Sequence, residues 1–407
     1  MKLCANGAVL VQGPKACGKT TTALQLAKSS ILINTAKIRH DVALTVDHVP
    51  QFVLGGDTPR LIGEWQNVPR VWNAVRHELD KRGAPAQFIL TGSAVPAGRA
   101  DILRADASRF GRLTMRPMSL YESGASNGAV SLEALFRGSF VEALNPLAVE
   151  DVASAICRGG WPEALHLSEA DSLAYVRALF AAAVKRSAAR GEAAGPDEAQ
   201  LFALLRACAQ TVGTQTSLRQ LEKDIATTEC VEGFSRASIE TSLKRLKRVF
   251  VLEDVPAWAP KLRAKTPVRT TAFRYFVDPS FAAAALEIGP RDLFKEPRLF
   301  YSLFENLCIR DLLVYADPLR ATVFHYRDKN NLSCDAAIER QDGSYALIEI
   351  KLGGEKNIEQ GAAALKKLVK KLARTKPAFL MVLVGAGDCA YQREDGVFVV
   401  PIGCLRP

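Results

Sequence analysis

The first hundred residues alternate short apolar runs with amphipathic stretches, the rhythm of buried parallel strands joined by helices. Residues 8–11 (AVLV) predict a strand, and residues 20–28 (TTTALQLAK) a helix with Ala23, Leu24, Leu26 and Ala27 on one side. Residues 30–34 (SILIN) predict a second strand. Residues 59–63 (PRLIG) predict a third, ending at the acidic Glu64. Residues 71–79 are helical in pattern. Residues 87–90 (QFIL) form a further buried run leading into Thr91-Gly92-Ser93, which places hydroxyls at a strand's C-terminal end.

Beyond this region, residues 125–190 alternate helical segments with polar connections, and Gly159-Gly160-Trp161-Pro162 makes a tight turn among them. Residues 190–198 (RGEAAGPDE) read as a linker, with no apolar period. Residues 201–209 and a segment opening at 217–220 with capping-box character predict two helices. A third, over 235–249, carries Ile239, Leu243, Leu246 and Phe250 as one apolar stripe. Strand-like runs at 250–253 and 273–277 follow, so three helices and a hairpin describe a winged helix. The remainder predicts a helix containing Phe304-Glu305-Asn306, then strands at 322–327, 334–338 and 345–351. A helix over 358–374 and strands at 379–384 and 397–400 complete it.

The junction between the first strand and helix carries the clearest chemistry. Gly13-Pro14-Lys15-Ala16-Cys17-Gly18-Lys19-Thr20 fits G-x-x-x-x-G-K-[ST], the phosphate-binding loop, in the strand–loop–helix context the motif requires. Backbone N–H groups of such a loop face the β- and γ-phosphates of ATP or ADP. Lys19 adds a point charge, Thr20 offers its hydroxyl to Mg²⁺, and Thr21 completes the set. In P-loop ATPases the strand that ends near Glu64 commonly closes Asp-Glu, the Asp holding Mg²⁺ and the Glu orienting the attacking water. Here Glu64 is present and Gly63 stands before it. Thr91 or Ser93 is the candidate γ-phosphate sensor, with a simple turn as the alternative.

Length and composition bound the partners. A chain of 407 residues holds roughly two to four domains. A formal net charge of +10 leans toward a polyanion such as nucleic acid. The nine cysteines are dispersed without C-x-x-C spacing, which argues for reduced thiols rather than a disulfide frame or zinc site. No run reaches the ~18 apolar residues of a membrane span. The expectation is a cytoplasmic protein with no membrane partner.

The order of "GPKACGKTTTA", "GDTPRLIGEWQ", "QFILTGSA" and "LTMRPMSLYESG", followed by "CRGGWPEAL", "LFENLCIRDL" and "IEIKLG", resembles a group of prokaryotic AAA+-type ATPases. These carry a C-terminal domain of uncharacterised function with a restriction-nuclease-like fold. The resemblance implies an α/β protein built from four parts. An ATPase core would occupy 1–124, a helical lid 125–190, a winged-helix module 199–290 and a PD-(D/E)xK nuclease-like domain 291–407. It also points to Arg109 or Arg112 as arginines that reach a neighbouring phosphate, and so to self-association. The family usually has Asp where this chain has Gly63.

In the C-terminal part Asp335 and Glu349 sit on adjacent strands and could share a hard cation. Lys351, two residues after Glu349, shares its strand face and could position a water. Glu305 on the preceding helix is a further ligand candidate, and Gln360 a weaker one. Lys244, Lys247 and Arg248, the wing residues Lys261, Arg263, Lys265 and Arg269, and the run Lys366, Lys367, Lys370, Lys371 and Arg374 are basic faces. They would suit a DNA or RNA backbone or serve as solvated or packing surfaces. Two functions are therefore expected. One is an ATPase with weakened hydrolysis coupled to a nuclease-like domain. The other is a nucleotide-gated scaffold whose nuclease-like domain is inactive.

Overall fold

The computed structural model describes residues 2–94, 109–189, 196–228, 234–259, 271–330, 332–372 and 376–407. The chain divides into two compact units, Met1–Pro117 with Arg245–Phe250, and Met118–Lys244 with Val251–Pro407.

The first unit is built on five strands: β1 Ala8–Gln12, β2 Ser29–Leu32, β3 Arg60–Gly63, β4 Phe88–Gly92 and β5 Phe110–Thr114. They lie in the order β2-β3-β4-β1-β5, and every pairing is parallel. A parallel sheet covered on both faces needs strands apolar at successive positions, and β1 supplies them. Ala8 and Leu10 join one core with Trp65, Trp72, Val75, Phe88 and Phe110. Val9 and Val11 join another with Ala23, Leu61 and Ile89. Trp72 stacks on Phe110 at 4.1 Å between ring centres, which fixes the helix Val71–Arg82 on the first face. The loop helix is shorter than its pattern suggested, Lys19–Leu24.

The second unit holds a seven-stranded mixed sheet, numbered in chain order with its small companions. Two short strands come first, β6 Val130–Ser131 and β7 Ala143–Leu144. The hairpin β8 Leu252–Val255 and β9 Phe273–Phe276 follows. Then come β10 Ala321–Arg327, β11 Ser333–Arg340, β12 Tyr345–Lys351, β13 Leu380–Val384, β14 Cys389–Gln392, β15 Phe398–Pro401 and β16 Leu405–Arg406. The sheet order is β10-β11-β12-β13-β15-β14-β7. β10, β11 and β12 pair antiparallel, while β12, β13 and β15 run parallel. The helix Glu355–Leu372 links β12 to β13 and buries Ile358, Ala362, Leu365 and Leu368 against the sheet.

Residues 125–190, expected as a lid for the ATPase core, fall in this second unit. β7 extends its sheet beside β14, and β6 pairs with β16. The helices Val149–Arg158 and Glu169–Ala189 supply the helical part. Three more helices precede the hairpin, Glu198–Gln210, Leu218–Thr228 and Arg236–Arg248. The expected linker over 190–198 lies mostly outside the described residues, and Glu198 already starts a helix capped by Asp197.

A buried ionic network ties this unit together. Arg310, from the long helix Pro297–Ala316, donates to Asp278 Oδ2 at 2.8 Å and to Asp311 Oδ1 at 2.6 Å. The remaining carboxylate capacity accepts backbone N–H groups, Gly160 on Asp278 and Leu120 on Asp311. Such a group is stable only with its charges and lone pairs satisfied, and here they are.

Candidate functional site

The phosphate loop follows β1 at the C-terminal edge of the parallel sheet, where ligands of open α/β sheets bind. A side chain at Gly13 would place its Cβ 1.9 Å from the Met115 carbonyl oxygen, so only glycine passes there. Gly18 and Ala16 both take left-handed backbone conformations, at φ 92° and 68°. Lys19 is buried, and its ammonium donates back to the Pro14 carbonyl across the loop. Its Nζ also lies 3.8 Å from Cys17 Sγ. Burial pushes the Cys17 thiol up, and the Lys19 charge offsets this in part. Thr20 is half-buried at the start of the helix, while Lys15 and Thr21 are exposed.

The next strands complete this edge. The Gly13 N–H donates to the Gly92 carbonyl at 3.3 Å, fastening the end of β4 to the loop. Glu64 takes a left-handed conformation, φ 55°, which costs roughly 1 kcal/mol or more and is typical of functional positions. Its Oε2 accepts from Ser93 Oγ at 2.8 Å and from Gln66 Nε2 at 2.6 Å. Of the two hydroxyls at the end of β4, Ser93 is therefore the one beside Glu64. Thr91 sits opposite Gly63 in register. Both Thr91 Oγ1 and Gln66 Oε1 are buried without a hydrogen-bond partner among the described residues. Gln66 was missed by the sequence reading, and a polar residue two positions past the acid was the available signal.

Arg109 does not reach its own chain's phosphate edge. It precedes β5, which is parallel to β1 with Phe110 opposite Ala8, so it lies at the N-terminal edge of the sheet. A strand of five residues at about 3.3 Å each puts it ~16 Å from the loop. There it pairs with Asp80 at 2.9 Å. Arg112 is mid-strand, partly buried, and in register with Leu10. Motif order alone could not give the strand direction that sets these positions.

The C-terminal candidates converge. Continuing the β11–β12 register sets Asp335 opposite Glu349, and Asp335 Oδ2 accepts the Ile350 N–H at 2.8 Å. The Lys351 ammonium lies 2.7 Å from Glu349 Oε2 and 3.8 Å from Asp335 Oδ2, bridging the pair. Glu305 accepts the Tyr275 hydroxyl at 2.6 Å, and Tyr301 donates to the Ile350 carbonyl at 3.1 Å. Gly213 backs Glu305 closely, since a Cβ there would fall 2.7 Å from Oε1. Burial, then the Asp335 charge, holds Glu305 well above the carboxylate range, against its hydrogen bond from Tyr275. The same two causes push Glu349 up to about 8, against Lys351. Burial works against the charge on Lys351, but Asp335 and Glu349 outweigh it and raise its pKa. Gln360 is exposed on its helix.

As arranged, this cluster does not fit a bound divalent ion. Among the described residues no three His, Cys, Asp or Glu side chains are grouped to hold one. Lys351 already uses the facing oxygens of Asp335 and Glu349. The phosphate-loop edge does fit ATP with Mg²⁺: its cradle is backbone that a Cβ at Gly13 would fill, and a buried hydroxyl waits beside it.

Several expected basic faces are internally paired. Lys244 meets Glu240, Lys366 meets Asp395 and Lys371 meets Asp328. Lys367 and Lys370 are exposed. The wing residues Lys261, Arg263, Lys265 and Arg269, and Arg374, lie outside the described residues.

Comparison with known proteins agrees with the loop. Residues 5–124 match a family described as AAA domain. Residues 149–292 match a domain of unknown function (DUF8612), and residues 302–405 another (DUF4143). No curated protein matches the chain. Among solved structures, it is similar to the Aeropyrum pernix ORC2 protein in its ADPNP–ADP complexes. The identity is 13%, over 75% of this chain and 90% of that one, with a TM-score of 0.31. It is also similar to the half-complex of Thermococcus gammatolerans McrB AAA+ hexamers with bound McrC. There the identity is 11%, over 72% and 74%, with a TM-score of 0.24. The N-terminal part is thus an AAA-type P-loop ATPase domain, which implies ATP binding, typically with Mg²⁺, and two domains of unknown function follow it. Among the described residues no helix is long and apolar enough to cross a membrane.

Proposed function

We propose that the chain is an ATP-binding protein of slow turnover whose C-terminal domain has a nuclease-like fold but serves as a binding or scaffold module. The observation that supports the first part is the convergence of the Gly13–Thr20 loop, Glu64 and Ser93 at one sheet edge. Lys19 would exchange its bond to Pro14 for a phosphate oxygen, and Thr20 would hold Mg²⁺. Bound Mg²⁺ neutralises charge that develops on the transferring phosphoryl group. Glu64, oriented by Ser93 and Gln66, would align the attacking water. Losing the carboxylate at position 63 removes an outer partner of the metal, a loss typically worth ~10–100-fold.

Turnover is expected well below ~1 s⁻¹. A Cβ at residue 63 would fall 2.5 Å from Leu32 Cδ2, the end of a flexible side chain. Gly63→Asp should therefore raise the rate, more so when combined with Leu32→Ala. Ordinary turnover in the parent, or no gain in either variant, would overturn the reading.

The second part draws support from Lys351 closing the Asp335–Glu349 pair. The helices and hairpin between 198 and 276 suit a winged-helix module, and exposed Lys367 and Lys370 suit a nucleic-acid backbone. Binding of DNA or RNA without cutting is the expected result of a plasmid and RNA assay with Mg²⁺ or Mn²⁺. The Asp335–Glu349 pair facing one lysine favours a second reading, metal-dependent cleavage, in which Lys351 swings away from the pair. Cutting lost in both Glu349→Ala and Lys351→Ala would establish that second reading instead.

A further inference from the structure

The hydroxyl of Thr91 stands apart from the hydrogen bonds that join Glu64 to Ser93 and Gln66. Its residue is wholly buried, and Oγ1 has no hydrogen-bond partner among the described residues. A buried hydroxyl left so costs stability, which folding tolerates where a ligand or water later supplies the partner. The position is specific. Thr91 lies in register between Val11 on β1 and Gly63 on β3, and the next residue, Gly92, is fastened to Gly13 of the loop. Residues paired in register share a sheet face. A Cβ built on Gly63 would stand 3.5 Å from Thr91 Oγ1. The hydroxyl therefore borders the space that a carboxylate at residue 63 would enter, and Leu32 closes the other side.

We propose that Thr91 takes over, in this chain, the outer metal contact that P-loop ATPases give to the acidic residue at this strand end. Its hydroxyl would hold a water of the Mg²⁺ that accompanies the nucleotide. This rests on the loop being an ATP site. A hydroxyl orients water as a carboxylate does but adds no charge, so it preserves metal-assisted binding while contributing little to charge balance in hydrolysis. The assignment also separates the two hydroxyls at the end of β4: Ser93 serves Glu64, and Thr91 serves the metal.

The test is calorimetric titration of the full chain with ATP and with ADP, each in excess Mg²⁺ and in EDTA. Thr91→Val keeps the shape and removes the oxygen. It is expected to melt at or above the parent's temperature without ligand and to bind metal-free nucleotide as the parent does. Its affinity gain from Mg²⁺ should fall about tenfold or more, for ADP as well as ATP. Thr91→Ser should restore that gain. An unchanged Mg²⁺ gain in Thr91→Val would overturn the assignment. So would a loss confined to ATP, which would place Thr91 on the γ-phosphate, or an equal loss with and without metal. A parent that binds no nucleotide in either condition would instead remove the ATP site itself.

Discussion

The two polar clusters differ in how much of their hydrogen-bonding capacity is already used. At the loop edge, Thr91 Oγ1 and Gln66 Oε1 are buried without partners among the described residues, and the Lys19 ammonium donates to the neutral Pro14 carbonyl. In the C-terminal cluster Asp335, Glu349 and Lys351 satisfy one another, and Tyr275 covers Glu305. An edge with spare capacity is prepared for a ligand from outside, because unmet buried groups cost free energy until something meets them. A cluster that closes on itself holds its own domain together and must be opened before it can do anything else. Similar residue types thus support opposite roles.

That contrast can be broken most forcefully at Lys351. Replacing it by alanine leaves Asp335 and Glu349 facing each other, and loss of one partner of a buried pair costs about 3 kcal/mol. Denaturant unfolding should show that loss at pH 8. The double replacement Glu349→Gln with Lys351→Met should recover most of it. A Lys351→Ala protein as stable as its parent would mean the cluster is already open. Smaller per unit of pH is a pH effect. Glu349 is held up to about 8, so below that pH the folded form keeps a proton that the unfolded form releases above the ordinary carboxylate range. More protons on the folded side means stability falls as pH rises through that window, by up to ~1.4 kcal/mol per unit. The fall should flatten in Glu349→Gln.

The smallest effect belongs to Arg109. Its pair with Asp80 is exposed, so Arg109→Ala should change stability by no more than about 0.5 kcal/mol. Because it sits at the far sheet edge, ATP affinity of the isolated chain should not change either. A large affinity loss would reverse the placement of β5.

Much of this was legible in the sequence, for reasons that differ between residues. The loop was legible because its glycines answer to close contacts, as Gly13 does with Met115, and because strand and helix flank it. Asp335, Glu349 and Lys351 were legible because a period of two sets the face of each side chain. Partners remote in sequence were not. Tyr275 and Gly213 meet Glu305 only through the fold, and Lys351 bridging two carboxylates depends on inter-strand distance. Residues 125–190 read correctly as containing helices. The two short strands among them were illegible, since two-residue pairings such as Ala143–Leu144 with β14 carry no periodicity. That Arg109 stands at the sheet edge away from its own chain's loop was illegible, because composition does not reveal which end of a parallel strand faces the loop.

The central claim is that the loop edge, rather than the carboxylate–lysine cluster, is where an outside ligand completes the molecule. Titrating ATP with Mg²⁺ into the parent, Lys19→Ala and Glu349→Gln proteins tests it directly. Saturable heat is expected in the parent and in Glu349→Gln, with a loss of at least about 30-fold in affinity in Lys19→Ala, the cost of one charge-assisted contact. No heat from a folded parent, or equal binding by Lys19→Ala, would contradict it.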